Sequence, residues 1–255
     1  MTFAPNGRCT YHCHTHWSDG SNSAAEMVDA AVRLGFQEIG FTDHLLLHPT
    51  GLDISWSMNP MHLDDYVREV REAAAKAPIP VKLGLEVDFF PDNPRQDELD
   101  ALLGRHDFDY FIGSVHMIDE FPLDSSAADW ERLSESEVDA LFIRYWQHVR
   151  QLARAPGFDI IGHLDLPKKF GYRPHVDIAA VEGLALDTIT SSRKAVEFNT
   201  AGWDKPCGDG YPSPRLLRQC ILREIPIIVN DDAHATDQLA RHYPRALDLL
   251  SSLGA

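Results

Sequence analysis

Near its amino end the chain reads Tyr11-His12-Cys13-His14-Thr15-His16-Trp17-Ser18-Asp19-Gly20. Successive side chains of a β-strand point to opposite faces, so residues two apart share a face. His12 and His14 can therefore converge on one metal ion, while Cys13 points the other way and is predicted to lie in the core. The question for the rest of the chain is whether it supplies further ligands.

The chain beyond this stretch alternates between strand-like and helix-like segments. Strands are predicted at Thr10–His14, Glu38–Thr42, Pro80–Glu86, Asp109–Val115, Phe158–Gly162, Ala195–Asn199 and Pro226–Val229. Helices are predicted at Ala24–Leu34, Leu63–Lys76, Gln96–Gly104, Ser134–Ala153, Asp177–Arg193, Ser213–Arg223 and Thr236–Leu250. Two of them begin with a capping box, Ser23 with Glu26 and Ser134 with Glu137.

Strict alternation predicts an α/β fold with a parallel sheet and helices outside it. Seven units in 255 residues favour a closed or nearly closed (β/α)7 barrel of the TIM type. No GxGxxG follows the first strand, so a dinucleotide-binding fold lacks its fingerprint. We find no repeat or linker, and we interpret residues 1–255 as a single domain.

Polar residues end six of the seven predicted strands. In a parallel barrel the carboxyl ends of all strands open onto one face, which holds the active site. Imidazoles and carboxylates together suit Zn, Mn or Fe. The predicted metal ligands at these ends are His12, His14, His44, Glu86, His116, His163, Asp232 and His234.

The composition of the chain narrows the classes of molecule that it could bind. The formal net charge of −16 and the absence of a basic cluster argue against nucleic acid as a partner and favour a small-molecule substrate. Residues 1–8 do not resemble a signal peptide, and no apolar run is long enough to span a membrane. The four cysteines form no CxxC pair, so we expect a reduced, cytoplasmic protein with no membrane association.

The strand ends also carry motifs of a known family. They read Phe41-Thr42-Asp43-His44, Gly84-Leu85-Glu86-Val87-Asp88, Gly113-Ser114-Val115-His116, Gly162-His163-Leu164-Asp165-Leu166 and Asp231-Asp232-Ala233-His234. Together with His12 to Gly20, they make the chain resemble the polymerase and histidinol phosphatase (PHP) superfamily from about Thr10 to the carboxyl terminus. The runs Asp165-Leu166-Pro167-Lys168-Lys169-Phe170, Glu197 to Trp203 and Tyr211 to Pro214 resemble its histidinol-phosphate phosphatases.

The resemblance implies a distorted seven-stranded barrel with three divalent metal ions. One metal would bind His12, His14, Glu86 and Asp232, and a second would share Glu86 and bind His116 and His163. The third would bind His44, His234 and a residue of the first motif. Many relatives have histidine at that last position, whereas this chain has Asp19, and His16 is the rival ligand.

The same resemblance implies hydrolysis of a phosphate monoester, histidinol phosphate of histidine biosynthesis, by a hydroxide that bridges the metals. Asp232 and His234 are the candidate catalytic residues. The group that protonates the leaving alkoxide is left open among a metal-bound water, Asp231 and His234. Lys168, Lys169 and Arg173 follow His163 closely and are candidates for binding the substrate phosphate; a solvated loop of charges is the equal alternative. Asp43 and Asp165, adjacent to predicted ligands, are expected to orient imidazoles.

Three other functions fit parts of the pattern. An amidohydrolase-type barrel also opens with His-x-His but usually has eight units, and His44 with the Asp232/His234 pair favours three metals over that scheme. A PHP-type phosphoesterase could act on another small phosphate or a nucleotide. A metal-binding protein without catalysis is disfavoured, because nearly every ligand position is filled.

Overall fold

The structure is a computed structural model that describes residues 8–254. The predicted absence of a signal peptide concerns residues that, apart from Arg8, lie outside that range. The strands are β1 (Cys9–Thr10), β2 (Glu38–Phe41), β3 (His44–Leu45), β4 (Val81–Asp88), β5 (Tyr110–Ser114), β6 (Met117–Ile118), β7 (Phe121–Pro122), β8 (Ile160–Ile161), β9 (Ala195–Asn199) and β10 (Ile227–Asn230).

The helices are α1 (Ala24–Arg33), α2 (Leu63–Lys76), α3 (Gln96–Leu103), α4 (Ala127–Trp130), α5 (Glu135–Arg154), α6 (Ala179–Ser192), α7 (Pro214–Leu222) and α8 (Tyr243–Leu253). Short 3₁₀ helices occur at Pro60–His62, Leu166–Phe170, Ala201–Asp204 and Thr236–Gln238. Within residues 8–254, no helix has the length and apolarity that a membrane crossing requires.

Seven strands follow one another in the main sheet in the order β1-β2-β4-β5-β8-β9-β10, and β3 pairs with β4 beside this path. The pairs β1/β2, β2/β4, β3/β4 and β8/β9 are parallel. A separate hairpin joins β6 to β7. The predicted α/β fold, a seven-stranded and nearly closed TIM-like barrel with helices around it, is confirmed.

Two predicted boundaries differ from the structure by four residues or more. Strand 1 was expected to run through His14, but β1 ends at Thr10, and Cys13 forms an isolated parallel bridge with Ala233. The last helix was expected to begin at Thr236. It begins at Tyr243, because Ala240 and His242 have left-handed backbone conformations with φ of 62° and 58°, which interrupt a right-handed helix.

Contacts between residues divide the chain into two compact units. Unit 1 comprises Met1–Ile112 with Asn230–Arg241, and unit 2 comprises Gly113–Val229 with His242–Ala255. The interpretation of 1–255 as a single domain stays a prediction. Each unit is described by itself.

In unit 1, buried tyrosines hold the start of the first motif in place. The Tyr110 hydroxyl donates a hydrogen bond of 2.7 Å to the Tyr11 carbonyl, and both rings are buried. Gly84 makes room for Tyr110, since a Cβ there would lie 2.8 Å from the Tyr110 ring. The chain therefore leaves β1 anchored to the sheet just before His12.

In unit 2, α5 and α6 pack along each other. The capping box that the sequence predicts for α5 is present, with Glu137 accepting from the Ser134 backbone N–H at 2.8 Å. The apolar stripe of α5 includes Trp146, Val149 and Leu152, all buried, because they recur at helical spacing on one face.

Candidate metal centre

Seven predicted ligands of unit 1 form one group of side chains, which we call the unit 1 cluster: His12, His14, Asp19, His44, Glu86, Asp232 and His234. They lie on or after strands β1, β3, β4 and β10, and Asp19 lies in the turn at residues 16–19. His12 and His14 follow β1, His44 begins β3, and its Cα partner across the ladder is Glu86 of β4.

Glu86 and Asp232 lie between the imidazoles of the cluster. The Glu86 Oε2 atom is 3.1 Å from His12 Nε2 and 2.9 Å from His44 Nδ1. The Asp232 Oδ1 atom is 3.2 Å from His14 Nε2 and 3.5 Å from His12 Nε2. His12, His14 and Glu86 are fully buried, so these lone pairs converge away from solvent.

Asp19 closes the cluster on its other side. Its Oδ1 atom is 3.2 Å from His234 Nε2, 3.7 Å from His44 Nε2 and 3.8 Å from His14 Nδ1. These four residues could hold a metal ion together. The rings of His14 and His234 stack with centroids 4.2 Å apart.

His16, the rival of Asp19, lies elsewhere. Its side chain is 45% exposed, and its Nε2 atom is 3.4 Å from a Glu69 oxygen. Residues 16–19 form a turn, so the strand alternation that would place His16 beside His14 has already ended. Gly20 permits this turn to fold back, because a Cβ there would lie 2.6 Å from the His14 backbone.

The charges of the cluster suit cation binding. Burial, with the neighbouring His234 and His44, lowers the pKa of His14 to about 3, so its imidazole is neutral at pH 7. Burial opposes ionisation of Asp19 and Asp232, but the surrounding imidazoles outweigh it and lower both pKa values. Neutral imidazoles and ionised carboxylates are the states that bind divalent metals.

We expected Asp43 to orient an imidazole, but its hydrogen bonds go to a turn instead. Its Oδ1 atom accepts hydrogen bonds from the Thr15 N–H at 2.9 Å and from the Ser18 hydroxyl at 2.7 Å. Asp43 is fully buried, and it therefore holds the turn that carries Asp19. The prediction was wrong because Thr15 and Ser18 of the turn supply the hydrogen-bond donors of this carboxylate.

Asp231, a candidate proton donor, is bound within the fold. It is fully buried and accepts from the Thr10 hydroxyl at 2.8 Å and from the Ala240 N–H at 2.7 Å. Burial raises the pKa of Asp231 to about 6. These bonds tie the segment after β10 to β1.

Unit 2 brings together the two remaining predicted ligands. The Nε2 atoms of His116 and His163 are 3.1 Å apart, and both residues are buried. The His163 N–H donates to Glu197 Oε2 at 2.8 Å. Sequence reasoning gave Glu197 no role, although a carboxylate in the middle of the buried strand β9 was the available signal.

The three predicted phosphate-binding residues have partners of their own. Lys168 is buried, and its Nζ donates to Asp165 at 3.0 Å, to Asp209 at 3.2 Å and to the Gly210 carbonyl at 2.6 Å. An ammonium has three N–H donors, and these contacts use all three, which favours a structural role for Lys168 over the expected binding of phosphate. The same contact shows that Asp165 pairs with Lys168 instead of orienting an imidazole.

Lys169 and Arg173 are more accessible. Lys169 Nζ donates to the Asp124 carbonyl at 2.7 Å and carboxylate at 3.0 Å. Arg173 is exposed, and its Nη1 donates to the Tyr172 carbonyl at 2.7 Å. A guanidinium has five N–H donors, so Arg173 keeps capacity for an anion.

Two further residues of unit 1 were not singled out from the sequence. Asp88, two residues beyond Glu86 on β4, is 2% exposed and lies on the same strand face. The Trp56 ring meets His44 edge-on with centroids 4.7 Å apart. Asp88 belongs to the motif Gly84 to Asp88, whereas Trp56 lies in the irregular segment between β3 and the 3₁₀ helix at Pro60–His62.

The unit 1 cluster fits divalent metal ions by the chemistry of its donors. Four groups of His, Asp and Glu side chains in the described residues bring ligand atoms within 4.8 Å of one another, including His12/His14/Asp232 and His14/Asp19/His44/His234. Mixed imidazole and carboxylate sets are typical of Zn, Mn and Fe sites in hydrolases. With the parallel barrel, this site defines a metal-dependent α/β-barrel protein.

Comparison with known proteins narrows that class. The PHP domain model matches residues 10–201, and the chain belongs to the PHP family. The resemblance stated from the motifs is thereby confirmed, as is the predicted class of enzyme, a metal-dependent phosphatase.

Two curated relatives and one solved structure illustrate the similarity. A "Probable histidinol-phosphatase" of Deinococcus radiodurans is 35% identical over 97% of this chain and 94% of its own length. The "Histidinol-phosphatase" of Lactococcus lactis is 27% identical over 93% of this chain and 88% of its own length. The crystal structure of histidinol phosphate phosphatase from Lactococcus lactis, complexed with Zn, L-histidinol and phosphate, superposes with a TM-score of 0.79 at 23% identity, covering 97% and 94% of the two chains.

Proposed function

We propose that this chain hydrolyses L-histidinol phosphate to L-histidinol and phosphate, a step of histidine biosynthesis. The observation that carries the proposal is the unit 1 cluster, in which Glu86 and Asp232 lie 2.9 to 3.5 Å from three imidazoles. The 35% identity to a relative named as a histidinol-phosphatase, over 97% of the chain, supports the choice of substrate.

Three divalent metal ions serve this reaction, and Zn, Mn and Fe all suit the donors. His12, His14, Glu86 and Asp232 would hold the first ion. His44, His234 and Asp19 would hold the third, and Asp19 replaces His16 in that role because its carboxylate lies beside both histidines. His116 and His163 would hold the second.

Divalent metals, when bound, lower the pKa of water and neutralise negative charge on the phosphate. The protein side chains contribute an arrangement that needs little reorganisation. Burial keeps His12, His14 and Glu86 fixed, and the Asp43 contacts to Thr15 and Ser18 hold Asp19 in position. The three divalent charges attract a phosphate dianion although the whole chain is acidic.

Asp232 and His234 are the candidate catalytic residues. Asp232 lies between His12 and His14, so it acts by holding the first metal. The proton donor for the leaving alkoxide is not assigned to one residue, because His234 would hold the third metal and a metal-binding imidazole is neutral. Asp231 is buried, and its carboxylate already accepts from Thr10 and Ala240.

Arg173 and Lys169 stay candidates for binding the substrate phosphate. Arg173 is the stronger of the two, since its guanidinium is exposed and keeps free donors beyond its carbonyl contacts. Lys168 instead positions the segment after His163 through Asp165, Asp209 and Gly210.

The partner is a small phosphorylated metabolite, and we propose neither nucleic acid nor membrane as a further partner. We also propose a cytoplasmic location. Its support is that Cys9, Cys13, Cys207 and Cys220 are all free thiols, three of them buried, which suits a reducing compartment.

The test is an assay of the purified protein with histidinol phosphate beside a panel of other phosphate monoesters, with Zn or Mn added and metal content measured. Histidinol phosphate is expected to have the highest kcat/KM. Turnover of another monoester, and not of histidinol phosphate, would keep the assignment as a phosphatase but contradict the proposed substrate. Absence of turnover with any metal would overturn the class.

Asp232→Asn is the matched variant for the site. It is expected to lower both metal content and kcat, because the neutral amide is a poor ligand beside His12 and His14. Asp237→Asn removes an exposed carboxylate five residues away and serves as the control. Equal activity in the two variants would remove Asp232 from the site.

A further inference from the structure

An open cavity of about 590 Å³ lies in unit 2, and none of its lining residues is among those assigned to catalysis. It is lined by the end of α5 with the residues just after it and by residues 184–194 of α6 and beyond. We call it the α5/α6 cavity. Its lining includes Arg150, Arg154, Asp187, Leu184 and Lys194.

Two arginines of this cavity have no acidic partner. Arg150 and Arg154 lie one turn apart on α5, and neither forms an ion pair among residues 8–254. The Nε atom of Arg150 is shielded from solvent and makes no hydrogen bond. In a chain of net charge −16, two adjacent arginines without a carboxylate are an unusual concentration of positive charge.

The other charges of the cavity leave that excess in place. Asp187 is its one lining carboxylate, and it already accepts from Arg223 Nε at 3.0 Å. Lys194 donates to the Phe158 carbonyl at 2.7 Å and adds a further positive charge that Asp159 partly balances. An anion in the cavity would therefore meet a net positive lining.

Attraction to helix ends explains only part of this arrangement. Basic residues in the last turn of a helix interact favourably with its exposed carbonyls. Arg154 ends α5 and fits that explanation. Arg150 lies a full turn earlier, where backbone carbonyls are bonded within the helix, so attraction to the helix end does not account for it.

The lining also offers an apolar surface beside the arginines. Ala153 is buried, Pro156 follows the end of α5, and Leu184 of α6 is 49% exposed. Burial of such surface by a ligand is favourable in proportion to the area covered. The lining of the cavity thus combines cationic and apolar side chains.

We infer that the α5/α6 cavity binds a small organic anion, with its charged group at Arg150 and Arg154 and its apolar body against Leu184 and Pro156. Arginine suits this role because its planar donors pair with two oxygens of a carboxylate, sulfonate or phosphate at once. Because part of the attraction is between exposed charges, binding weakens as the salt concentration rises.

The test titrates the metal-loaded protein with benzenesulfonate by calorimetry, because a sulfonate is a poor ligand for metals. Arg150→Gln/Arg154→Gln is expected to weaken binding at least tenfold. Arg33→Gln/Arg132→Gln makes the same change in net charge at exposed arginines outside the cavity, and it is expected to leave the affinity unchanged. Benzenesulfonamide, the neutral analogue, is expected to bind at least tenfold more weakly.

The two double variants are expected to turn over the substrate panel at equal rates. Equal rates show that the cavity variant is folded and metal-loaded. If the cavity variant fails to fold, Arg154→Gln alone, at an exposed position, replaces it with an expected loss of about threefold or more. Absence of saturable binding to the unmodified protein would overturn the inference. So would equal affinity in the two double variants, which would place the sulfonate elsewhere.

Discussion

At the scale of single residues, the choice between Asp19 and His16 concerns the proposed third metal site. Strand periodicity alone would place His16 on the same face as His12 and His14. The turn at residues 16–19 ends that periodicity, and the Asp43 carboxylate holds the turn through Thr15 and Ser18. Asp19 consequently reaches His44 and His234, while His16 faces Glu69.

Asp19→Asn is expected to lower the metal content by about one ion per chain and kcat at least tenfold, since a neutral amide binds a divalent cation more weakly than a carboxylate. Metal analysis and steady-state kinetics on the same preparation measure both quantities. His16→Asn is the matched control in the same turn, and it is expected to keep its metal content. Loss of metal in His16→Asn with retention in Asp19→Asn would reverse the assignment.

At the scale of elements, α5 contains a histidine that the catalytic site does not use. His148 is 9% exposed, and its Nδ1 atom is buried without a hydrogen bond. Burial, with the charge of Arg144, lowers the pKa of His148 to about 4. The folded chain therefore keeps this imidazole neutral at a pH where an unfolded chain would protonate it.

The sign of the linkage follows from that lowered pKa. Below the unfolded pKa of 6.5 the unfolded state binds more protons, so stability falls as pH decreases from about 6.5 to about 4. Between pH 7 and pH 5 this one group is expected to cost about 2 kcal/mol of unfolding free energy. His148→Leu is expected to remove that share of the loss, as measured by urea unfolding at the two pH values.

The control for this experiment is His62→Leu, because His62 is an exposed histidine whose side chain is 54% accessible. It is expected to show the same loss of stability between pH 7 and pH 5 as the unmodified protein. An identical pH dependence in His148→Leu would show that His148 does not titrate in this range.

At the scale of the whole molecule, metal binding and stability are coupled. The unit 1 cluster gathers ligands from residues 12 to 234 of the chain, which are brought together only in the folded state. A ligand that binds the folded state alone stabilises it by mass action. The metal ions are therefore expected to stabilise the barrel as well as to serve catalysis.

Removal of the metals by EDTA is expected to abolish phosphatase activity and to lower Tm by about 5 °C or more. Calorimetry with and without chelator measures the shift, and added Zn or Mn is expected to restore both properties. In Asp232→Asn, which is expected to hold less metal, EDTA is expected to change Tm less. An unchanged Tm and activity in EDTA would contradict the metal dependence.

Much of this molecule was predictable from its sequence, because the relevant signals are local. Alternating strand and helix patterns predicted the barrel, the capping boxes at Ser23 and Ser134 were visible as spacings, and strand ends carried the ligands. In a parallel barrel the carboxyl ends of the strands share one face. Their positions at the ends of predicted strands therefore indicated that His12, Glu86 and Asp232 would lie close together.

Side-chain partners far apart in the chain were decided by tertiary packing. Lys168 was expected at the phosphate, but Asp209 and Gly210, some forty residues later, use its donors. A turn that is hydrogen-bonded to Asp43, and not strand periodicity, sets the direction of Asp19. The pairing of α5 with α6 likewise brings Arg150 and Leu184 to one cavity. Periodicity predicts which face of a helix or strand a residue occupies. The group that the residue contacts depends on the three-dimensional arrangement of distant segments.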